Sequence, residues 1–151
     1  MHDNNGAGAR KAARGFSLIE LMTVVGIVAL LATLATASYS NYTRRANRTE
    51  GRAALLAIQV AQEKYFLQNN QYVQNIAGVI ANPPAGLGIP LSAAGLTANG
   101  NYTISFQVNT ATQYRLAATA GGSQANDSSC PVFTVDDQGN RTPADSTGCW
   151  R

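Results

Sequence analysis

One apolar run, residues 16–37, constrains the fold more than any other feature of the sequence. As a helix this run would be about 33 Å long, which matches the roughly 30 Å hydrocarbon thickness of a bilayer. Arg10, Lys11 and Arg14 precede the run, which favours a cytoplasmic N-terminus and places everything after residue 38 outside. The run therefore predicts one membrane-spanning helix near the N-terminus.

A secretory signal peptide is the alternative explanation of this segment, because Ala35-Thr36-Ala37 before Ser38 forms a small-x-small cleavage site. However, the apolar run is longer than the roughly 7 to 15 residues of a signal-peptide core. It also contains Glu20, and an ionisable residue inside a membrane segment costs roughly 2.5 to 3.5 kcal/mol. Such a residue is expected to have a function and a partner, so Glu20 favours a retained anchor.

The composition excludes several classes of chemistry. The chain has 151 residues, of which 45% are apolar and 13% charged, and this suits about one small domain in addition to the apolar run. The one histidine is His2, which precedes the run, so a chain that loses this segment has no histidine for a catalytic or metal site. The sequence contains no Gly-rich phosphate loop and no nucleophile paired with a base. We expect no enzyme, no catalytic or metal-binding residues and no cofactor.

A helical pattern continues beyond the apolar run and ends near Asn69–Tyr72, "NNQY". One face of this helix, at a period of 3.6 residues, should cover a sheet and consists of Ala54, Leu55, Ile58, Ala61, Tyr65 and Phe66. A second apolar stripe, Leu56, Val60 and Leu67, lies nearly opposite. Two explanations stay open for it: general burial or chance, and packing against other subunits.

The C-terminal half of the sequence has the alternating pattern of β-strands. Residues 73–100 are rich in proline and glycine and predict a long connection with at most short elements. Residues 101–108, 113–120 and 131–137 predict three strands, and "RTP" at 141–143 predicts the start of a short fourth. The fold class is therefore α+β, with a long N-terminal α-helix packed on a C-terminal antiparallel β-sheet.

Two cysteines, Cys130 and Cys149, lie near the C-terminus. Their spacing suits one disulfide and does not match a Cys-x-x-Cys metal or redox motif. This pattern favours an oxidising compartment. A bridge between them would close a loop of about 20 residues and stabilise the domain by roughly 3 kcal/mol.

The segment "GFSLIELM", which begins at Gly15, resembles the type IV prepilin motif. The resemblance implies that a prepilin peptidase cleaves after Gly15, methylates the new N-terminal residue Phe16, and leaves the apolar helix as an anchor. Glu20 would be the fifth residue of the mature chain and would pair with the N-terminal amine of a neighbouring subunit. Such pairing brings together two charges that are each costly alone in hydrocarbon, so it would favour adding a subunit in register.

The resemblance also implies a division of the chain and a location. Residues 1–15 would be the cleaved leader, residues 16–37 the transmembrane and assembly helix, and residues 38–151 a periplasmic globular domain of the ladle-shaped pilin fold. The loop bounded by the disulfide, 130–149, resembles the D-region of type IV pilins. The protein would cross the inner membrane once before it enters an extracellular filament. Its partners would be other pilin subunits, prepilin peptidase, inner-membrane lipid and the pilus assembly machinery.

Within the pilins, "RTEGRAALLAIQVAQEKYFLQNNQY" and "CPVFTVDDQGNRTPADSTGCW" are most similar to PilE-type minor pilins. This resemblance implies a subunit that helps to initiate the filament or is incorporated in it, although a major subunit is not excluded. Twitching motility, adhesion and DNA uptake all stay open as the role of the filament. One alternative is a type II secretion pseudopilin, but these commonly lack the C-terminal cystine.

A second alternative is an uptake pilin that binds DNA phosphates through exposed arginines such as Arg115, Arg141 and Arg151. The small number of lysines and the lack of a basic run count against it.

Two further groups of polar residues are best explained without a ligand-binding function. Arg44, Arg48 and Arg52 would lie on one helix face and predict a basic band near lipid headgroups or intersubunit carboxylates. A second group offers oxygen atoms in one loop and consists of Asp136, Asp137, Asn140 and Asp145. Its spacing matches no EF-hand, so solvated turn residues are favoured over a calcium site.

Overall fold

The computed structural model describes residues 15–143 and 148–150, apart from the side chains of residues 36–38. The predicted leader therefore lies outside the described residues, except for Gly15. The chain divides into two compact units, with the boundary after Tyr39. We refer to residues 15–39 as the N-terminal unit and to residues 40–150 as the C-terminal unit.

The secondary structure consists of one long helix followed by short elements and a sheet. In chain order the elements are α1 (Leu18–Asn69), α2 (Ile76–Ile80), β1 (Tyr102–Asn109), β2 (Tyr114–Ala120), a 3-10 turn (Gly122–Gln124), β3 (Val132–Asp136) and β4 (Arg141–Thr142). The four strands form one antiparallel sheet in the order β1-β2-β3-β4. The predicted α+β class, with a long N-terminal helix packed against an antiparallel sheet, is confirmed.

Helix α1 ends where the sequence predicted, within "NNQY". Asn70 follows the last helical residue with a φ of 53°, and its N–H donates to the carbonyl of Phe66. Asparagine tolerates this left-handed conformation better than most residues and is therefore favoured just after a helix. Tyr72 then donates its backbone N–H to Ala111, which ties the chain to the turn between β1 and β2.

The strands pair as a meander because each antiparallel neighbour follows directly in the sequence. Strand β1 pairs with β2 from Tyr102 opposite Ala120 to Asn109 opposite Tyr114, with a bulge between Phe106 and Val108. In β2 and β3, Leu116 lies opposite Val135. Directly opposed residues share one face of a sheet, so the fully buried side chains of Leu116 and Val135 contribute to the same core.

The core of the C-terminal unit lies between α1 and this sheet. Its fully buried side chains include Leu55, Ile58, Val79, Tyr102, Leu116, Phe133 and Val135. The predicted helix face is confirmed, because Leu55 and Ile58 are buried and Ala54, Ala61, Tyr65 and Phe66 pack partly buried against the cluster. The second stripe remains exposed in the single chain, with Leu67 84% exposed.

Two contacts hold separate segments of the chain together, and the sequence predicted only the second of them. Gln62 is fully buried, and its amide accepts from the backbone N–H of Val73 at 2.8 Å and donates to the Val73 carbonyl at 2.7 Å. The predicted disulfide between Cys130 and Cys149 is confirmed, with 5.7 Å between the Cα atoms. Trp150, next to the bridge, packs edge-on against the ring of Phe133 and so joins the C-terminus to the core.

Candidate functional site

The N-terminal unit presents the residues of the prepilin-like motif on an uncovered helix. Gly15 and Phe16 precede the first helical residue, Leu18, and the Phe16 side chain is 83% exposed. Glu20 lies in the first turn of α1, where its backbone carbonyl accepts from the Thr23 hydroxyl at 2.8 Å. Within the described part of the chain, the Glu20 carboxylate has no hydrogen bond or ion pair. A partner for it would have to come from another molecule or from outside the described residues.

The apolar side chains around Glu20 are also uncovered. Between Phe16 and Leu34 every large apolar side chain is exposed in the single chain. Among the described residues, α1 is the one helix that is long and apolar enough to cross a membrane. Such a surface is stable only when lipid or other protein replaces water around it.

Near the start of the C-terminal unit, in contrast to Glu20, two charged side chains pair with each other within the chain. Arg48 is buried and donates two hydrogen bonds of 2.7 Å, from Nε and Nη2, to the two carboxylate oxygens of Asp127. Gln124 also donates to Asp127, at 2.9 Å. The hydrogen bond from Arg48 is the main cause that holds the pKa of Asp127 below its ordinary value. Arg48 therefore locks α1 to the loop before β3.

This contact corrects the prediction of one basic band formed by Arg44, Arg48 and Arg52. The Arg48 guanidinium faces an aspartate of its own chain and is taken out of the band. Arg52 donates to the hydroxyl of Thr49 at 2.9 Å, whereas Arg44 lines a polar cavity together with Arg48. The sequence could not reveal the difference, because Asp127 lies 79 residues away along the chain.

A polar cavity of about 190 Å³ lies beside the Arg48–Asp127 pair. Its walls are formed by Asn41, Arg44, Arg45, Arg48, Asp127, Ser128 and Ser129. Neither Arg44 nor Arg45 has an acidic partner among the described residues. The cavity thus combines two uncompensated cations with serine hydroxyls, which is a suitable environment for an anion.

The arginines named for DNA contact lie in different places. Arg115 of β2 reaches Asp136 at 3.4 Å, with its side chain 48% exposed. Arg141 lies on the short edge strand β4, where its guanidinium is 5.0 Å from the centre of the Trp150 ring. Arg151 lies outside the described residues. The charge of Arg115 is partly balanced, whereas Arg141 has no acidic partner in the described part of the chain.

The loop after β3 is held by its own hydrogen bonds. Burial raises the pKa of Asp136, but hydrogen bonds from Asn140, Arg115 and Gln138 outweigh it and leave that pKa below its ordinary value. Asp136 thus uses its oxygens to close the turn. No group of three potential metal ligands occurs among the described residues, and Asp145 lies outside them. Asn140 is exposed in the turn as predicted, whereas Asp136 is buried at the end of β3 rather than solvated.

Two glutamates that the sequence pattern did not single out form hydrogen bonds with the segment between α1 and β1. Glu50 accepts from the backbone N–H of Asn99 at 2.8 Å and from the side-chain amide of Asn101 at 2.6 Å. Glu63 accepts from the hydroxyl of Tyr72 at 3.1 Å, and burial, followed by this hydrogen bond, raises the pKa of Tyr72 to about 12. Their position on the polar flank of the core-facing helix was a signal, but their partners are distant in sequence.

The comparisons with known proteins agree with the N-terminal geometry and add to it. A model of the prokaryotic N-terminal methylation motif matches residues 10–36. A second family model, described as "Type IV minor pilin ComP, DNA uptake sequence receptor", matches residues 37–134, which is more than half of the chain. The chain belongs to this family of type IV minor pilins. The resemblance to type IV pilins is therefore confirmed, and the minor-pilin model that matches is that of ComP.

The chain is similar to a type IV pilin from Shewanella oneidensis, with 22% sequence identity, a TM-score of 0.48, and coverage of 72% of this chain and 98% of that one. A comparison with curated proteins finds no match. Membership of the pilin family identifies a structural protein, and the methylation motif implies processing by prepilin peptidase and assembly into a pilus. The apolar helix and the motif fit anchoring in the inner membrane before assembly.

Proposed function

We propose that this protein is a minor subunit of a type IV pilus that serves as a receptor for DNA during uptake. The observation that carries the proposal is the match of the ComP model to residues 37–134, which include most of the C-terminal unit. That family is described as a receptor for the DNA uptake sequence, so DNA uptake, an alternative on sequence grounds, becomes the favoured role. The family match also favours a pilus subunit over a type II secretion pseudopilin.

The N-terminal unit would supply processing and assembly. Prepilin peptidase would cleave after Gly15 on the cytoplasmic side and methylate Phe16, while residues 16–37 stay in the inner membrane with the globular domain in the periplasm. Glu20, which has no partner in the described part of the chain, would then meet the N-terminal amine of a neighbouring subunit. The supporting observations are the match to the methylation motif and the exposure of the helix around Glu20.

The C-terminal unit would supply the contact with DNA, and Arg141 is the best-placed cation for it. It lies on the edge strand β4, its charge has no acidic partner among the described residues, and the Trp150 ring holds the guanidinium at 5.0 Å. The disulfide at Cys149 fixes Trp150 next to it. An arginine held in this way can bind a phosphate with little loss of side-chain freedom.

Binding of duplex DNA to the mature full-length protein in detergent would test this role. The affinity should fall as salt rises, because phosphate contacts release counterions. Arg141→Gln should weaken binding several-fold and reduce the slope of log K against log salt by about 1. Arg115→Gln is a matched control that removes the same charge, and its effect should be smaller because Asp136 already balances Arg115.

Equal losses in the two variants would mean that binding responds to net charge alone and would contradict a site at Arg141. Failure of the unmodified protein to bind DNA at about 50 mM salt would contradict the receptor role. The role as a pilus subunit would be judged separately, by detecting the protein and its stoichiometry in sheared filaments and by the mass of its N-terminus. A mature chain that starts at Ser38 would contradict anchoring and assembly.

A further inference from the structure

The polar cavity at the start of the C-terminal unit has the composition of an anion site. Two of its cations, Arg44 and Arg45, lie on α1, and two of its hydroxyls belong to Ser128 and Ser129 on the loop before β3. Neither hydroxyl makes a hydrogen bond within the described residues. The cavity of about 190 Å³ is large enough for a phosphate group and the first few atoms of the groups esterified to it.

The charge balance of this cavity is positive. Its one carboxylate, Asp127, is held by both nitrogens of a bidentate contact with Arg48 at 2.7 Å, so these two charges compensate each other. Arg44 and Arg45 remain without an acidic partner in the described part of the chain. The cavity therefore carries about two uncompensated positive charges, and the Arg48–Asp127 pair forms another part of its lining.

The arginines of the cavity lie close in sequence to the end of the apolar run. Arg44 follows Ala37, the last residue of the apolar run, by seven residues, and seven residues of any conformation extend at most about 25 Å. Tyr39 and Tyr42 lie between the two and are 70% and 71% exposed. Exposed tyrosines beside an apolar span are typical of the membrane interface, where the ring lies at the level of the headgroups. Long arginine side chains also extend toward this layer.

We propose that this cavity binds the phosphate of an anionic phospholipid headgroup while the subunit is anchored in the membrane. Arg44 and Arg45 would pair with the phosphate, and Ser128 and Ser129 would donate to its oxygens. The inference rests on the proposed function only in that the chain must be membrane-anchored before assembly. Bound lipid would hold the face of the C-terminal unit that carries this cavity until the subunit leaves the bilayer, so lipid release would accompany entry into the filament.

Native mass spectrometry of the mature full-length protein in a neutral detergent would test the site. Phosphatidylglycerol should be retained as a single bound molecule, whereas phosphatidylcholine, which carries no net charge, should be retained much less. The double variant Arg44→Gln/Arg45→Gln should retain phosphatidylglycerol at least roughly tenfold less, because each basic residue near a headgroup contributes substantially to binding. Arg52→Gln/Lys64→Gln removes two charges outside the cavity and should change retention by about twofold at most.

Two further arms separate lipid from other anions. Millimolar glycerol 1-phosphate displaces phosphatidylglycerol weakly if acyl chains contribute to binding, and this is the expected result. If glycerol 1-phosphate or inorganic phosphate displaces the lipid completely, the site is one for a free phosphate and the lipid proposal is overturned. Equal retention by the cavity variant and the control variant would also overturn it.

The DNA experiment shows whether this site is independent of the receptor role. The Arg44→Gln/Arg45→Gln variant should bind duplex DNA with a loss no greater than that of Arg52→Gln/Lys64→Gln, which has the same net charge. If it loses DNA binding and keeps its lipid, the cavity belongs to the DNA contact and the lipid proposal is overturned. Lipid retention needs neither DNA binding nor filament assembly, so failure of the receptor role leaves this test intact.

Discussion

The two units differ in the exposure of their apolar side chains, although helix α1 contributes to both. In the N-terminal unit, all large apolar side chains from Phe16 to Leu34 are exposed. In the C-terminal unit the same helix buries Leu55 and Ile58 completely against the sheet. The two parts of α1 therefore differ in what covers their apolar side chains. The first part needs lipid or another protein around it, whereas the later part forms a core with the sheet of its own chain.

The units also differ in how they place charge. Glu20 has no partner in the described part of the chain, whereas Arg48 and Asp127 compensate each other within hydrogen-bonding distance. A charge that is costly and unpaired in one chain is a natural point of contact between chains, but a buried pair fixes a single fold. Perturbing Glu20 should therefore affect assembly alone, and perturbing Arg48 should affect folding.

The largest expected effect is on assembly, from Glu20→Ala. The variant should lose most of its incorporation into filaments, because docking loses the charge pair that offsets burial of both groups. Cleavage after Gly15 and the C-terminal unit should be unaffected. The measurement is the amount of mature protein in sheared filaments relative to the membrane pool, together with the fluorescence of Trp150, the one tryptophan, as a report on the fold.

Glu20→Gln separates charge from shape in this experiment. It should be nearly as defective as Glu20→Ala if the ion pair matters, and only mildly defective if packing alone matters. Wild-type incorporation of Glu20→Ala would show that Glu20 does not determine assembly.

The next largest effect should come from Arg48→Met, which leaves Asp127 buried without its cation. Breaking a buried pair in this way costs about 3 to 5 kcal/mol. The free energy of unfolding can be measured in denaturant by Trp150 fluorescence. Arg52→Met is the matched control, since the polar contact that Arg52 makes in the described part of the chain is its hydrogen bond to Thr49, and its loss should change stability by about 0.5 kcal/mol or less. Equal effects of the two variants would contradict a structural role for the pair.

The same pair predicts how stability depends on pH. The pKa of Asp127 is lowered in the folded state by the hydrogen bond from Arg48, relative to about 3.9 in an unfolded chain. Its contribution is therefore fully present above about pH 4 and is lost as the pH falls through the folded-state pKa. In Arg48→Met this loss on acidification should be smaller, because only the weaker contacts from Gln124 and the Cys130 N–H remain.

Removal of the disulfide should have an effect of about 3 kcal/mol, confined to the C-terminal unit. The double variant Cys130→Ala/Cys149→Ala removes the bridge between two residues that are 19 apart in the sequence. It should leave the exposed helix around Glu20 unchanged. Circular dichroism is the better probe here, because Trp150 adjoins Cys149 and reports local change. Reduced wild-type protein should unfold at the same denaturant concentration as the variant, and a clear difference would mean that the alanines act by repacking.

The elements that depend on local pattern were predictable from the sequence. The end of α1 at Asn69, the burial of Leu55 and Ile58, and the strands follow from residue periodicity and turn residues. Helix α2 was not predicted, because five residues are too few to show a period, although Asn75, which caps the Gly78 N–H, was a local signal.

The contacts that depend on how distant segments meet were not predictable. Arg48 looked like a member of a basic band until the loop before β3 brought Asp127 to it. Gln62 lies on the core side of α1 as a polar residue, and only the docked connection at Val73 explains why it is buried. The cavity at Arg44 and Arg45 has the same origin, because its serines come from that loop. Sequence identified the charges, and the fold decided which of them are compensated.

The smallest expected effect on stability comes from replacing one glycine of α1 with alanine. Each unit has such a glycine, so the two substitutions compare the units directly. Gly51→Ala would place its Cβ 2.7 Å from Cζ of Phe133 and 2.9 Å from Cγ of Tyr102, two rings that are fully buried. Overpacking costs roughly 1 to 3 kcal/mol, and the better helix propensity of alanine returns about 1 kcal/mol, so a net loss of up to about 2 kcal/mol is expected. Gly26→Ala meets nothing within 4 Å and should leave the unfolding of the C-terminal unit, followed by Trp150, unchanged. If Gly51→Ala were as stable as the wild type, α1 would have room to move away from the sheet, and the contrast between a helix that makes its own core and one that awaits a partner would weaken.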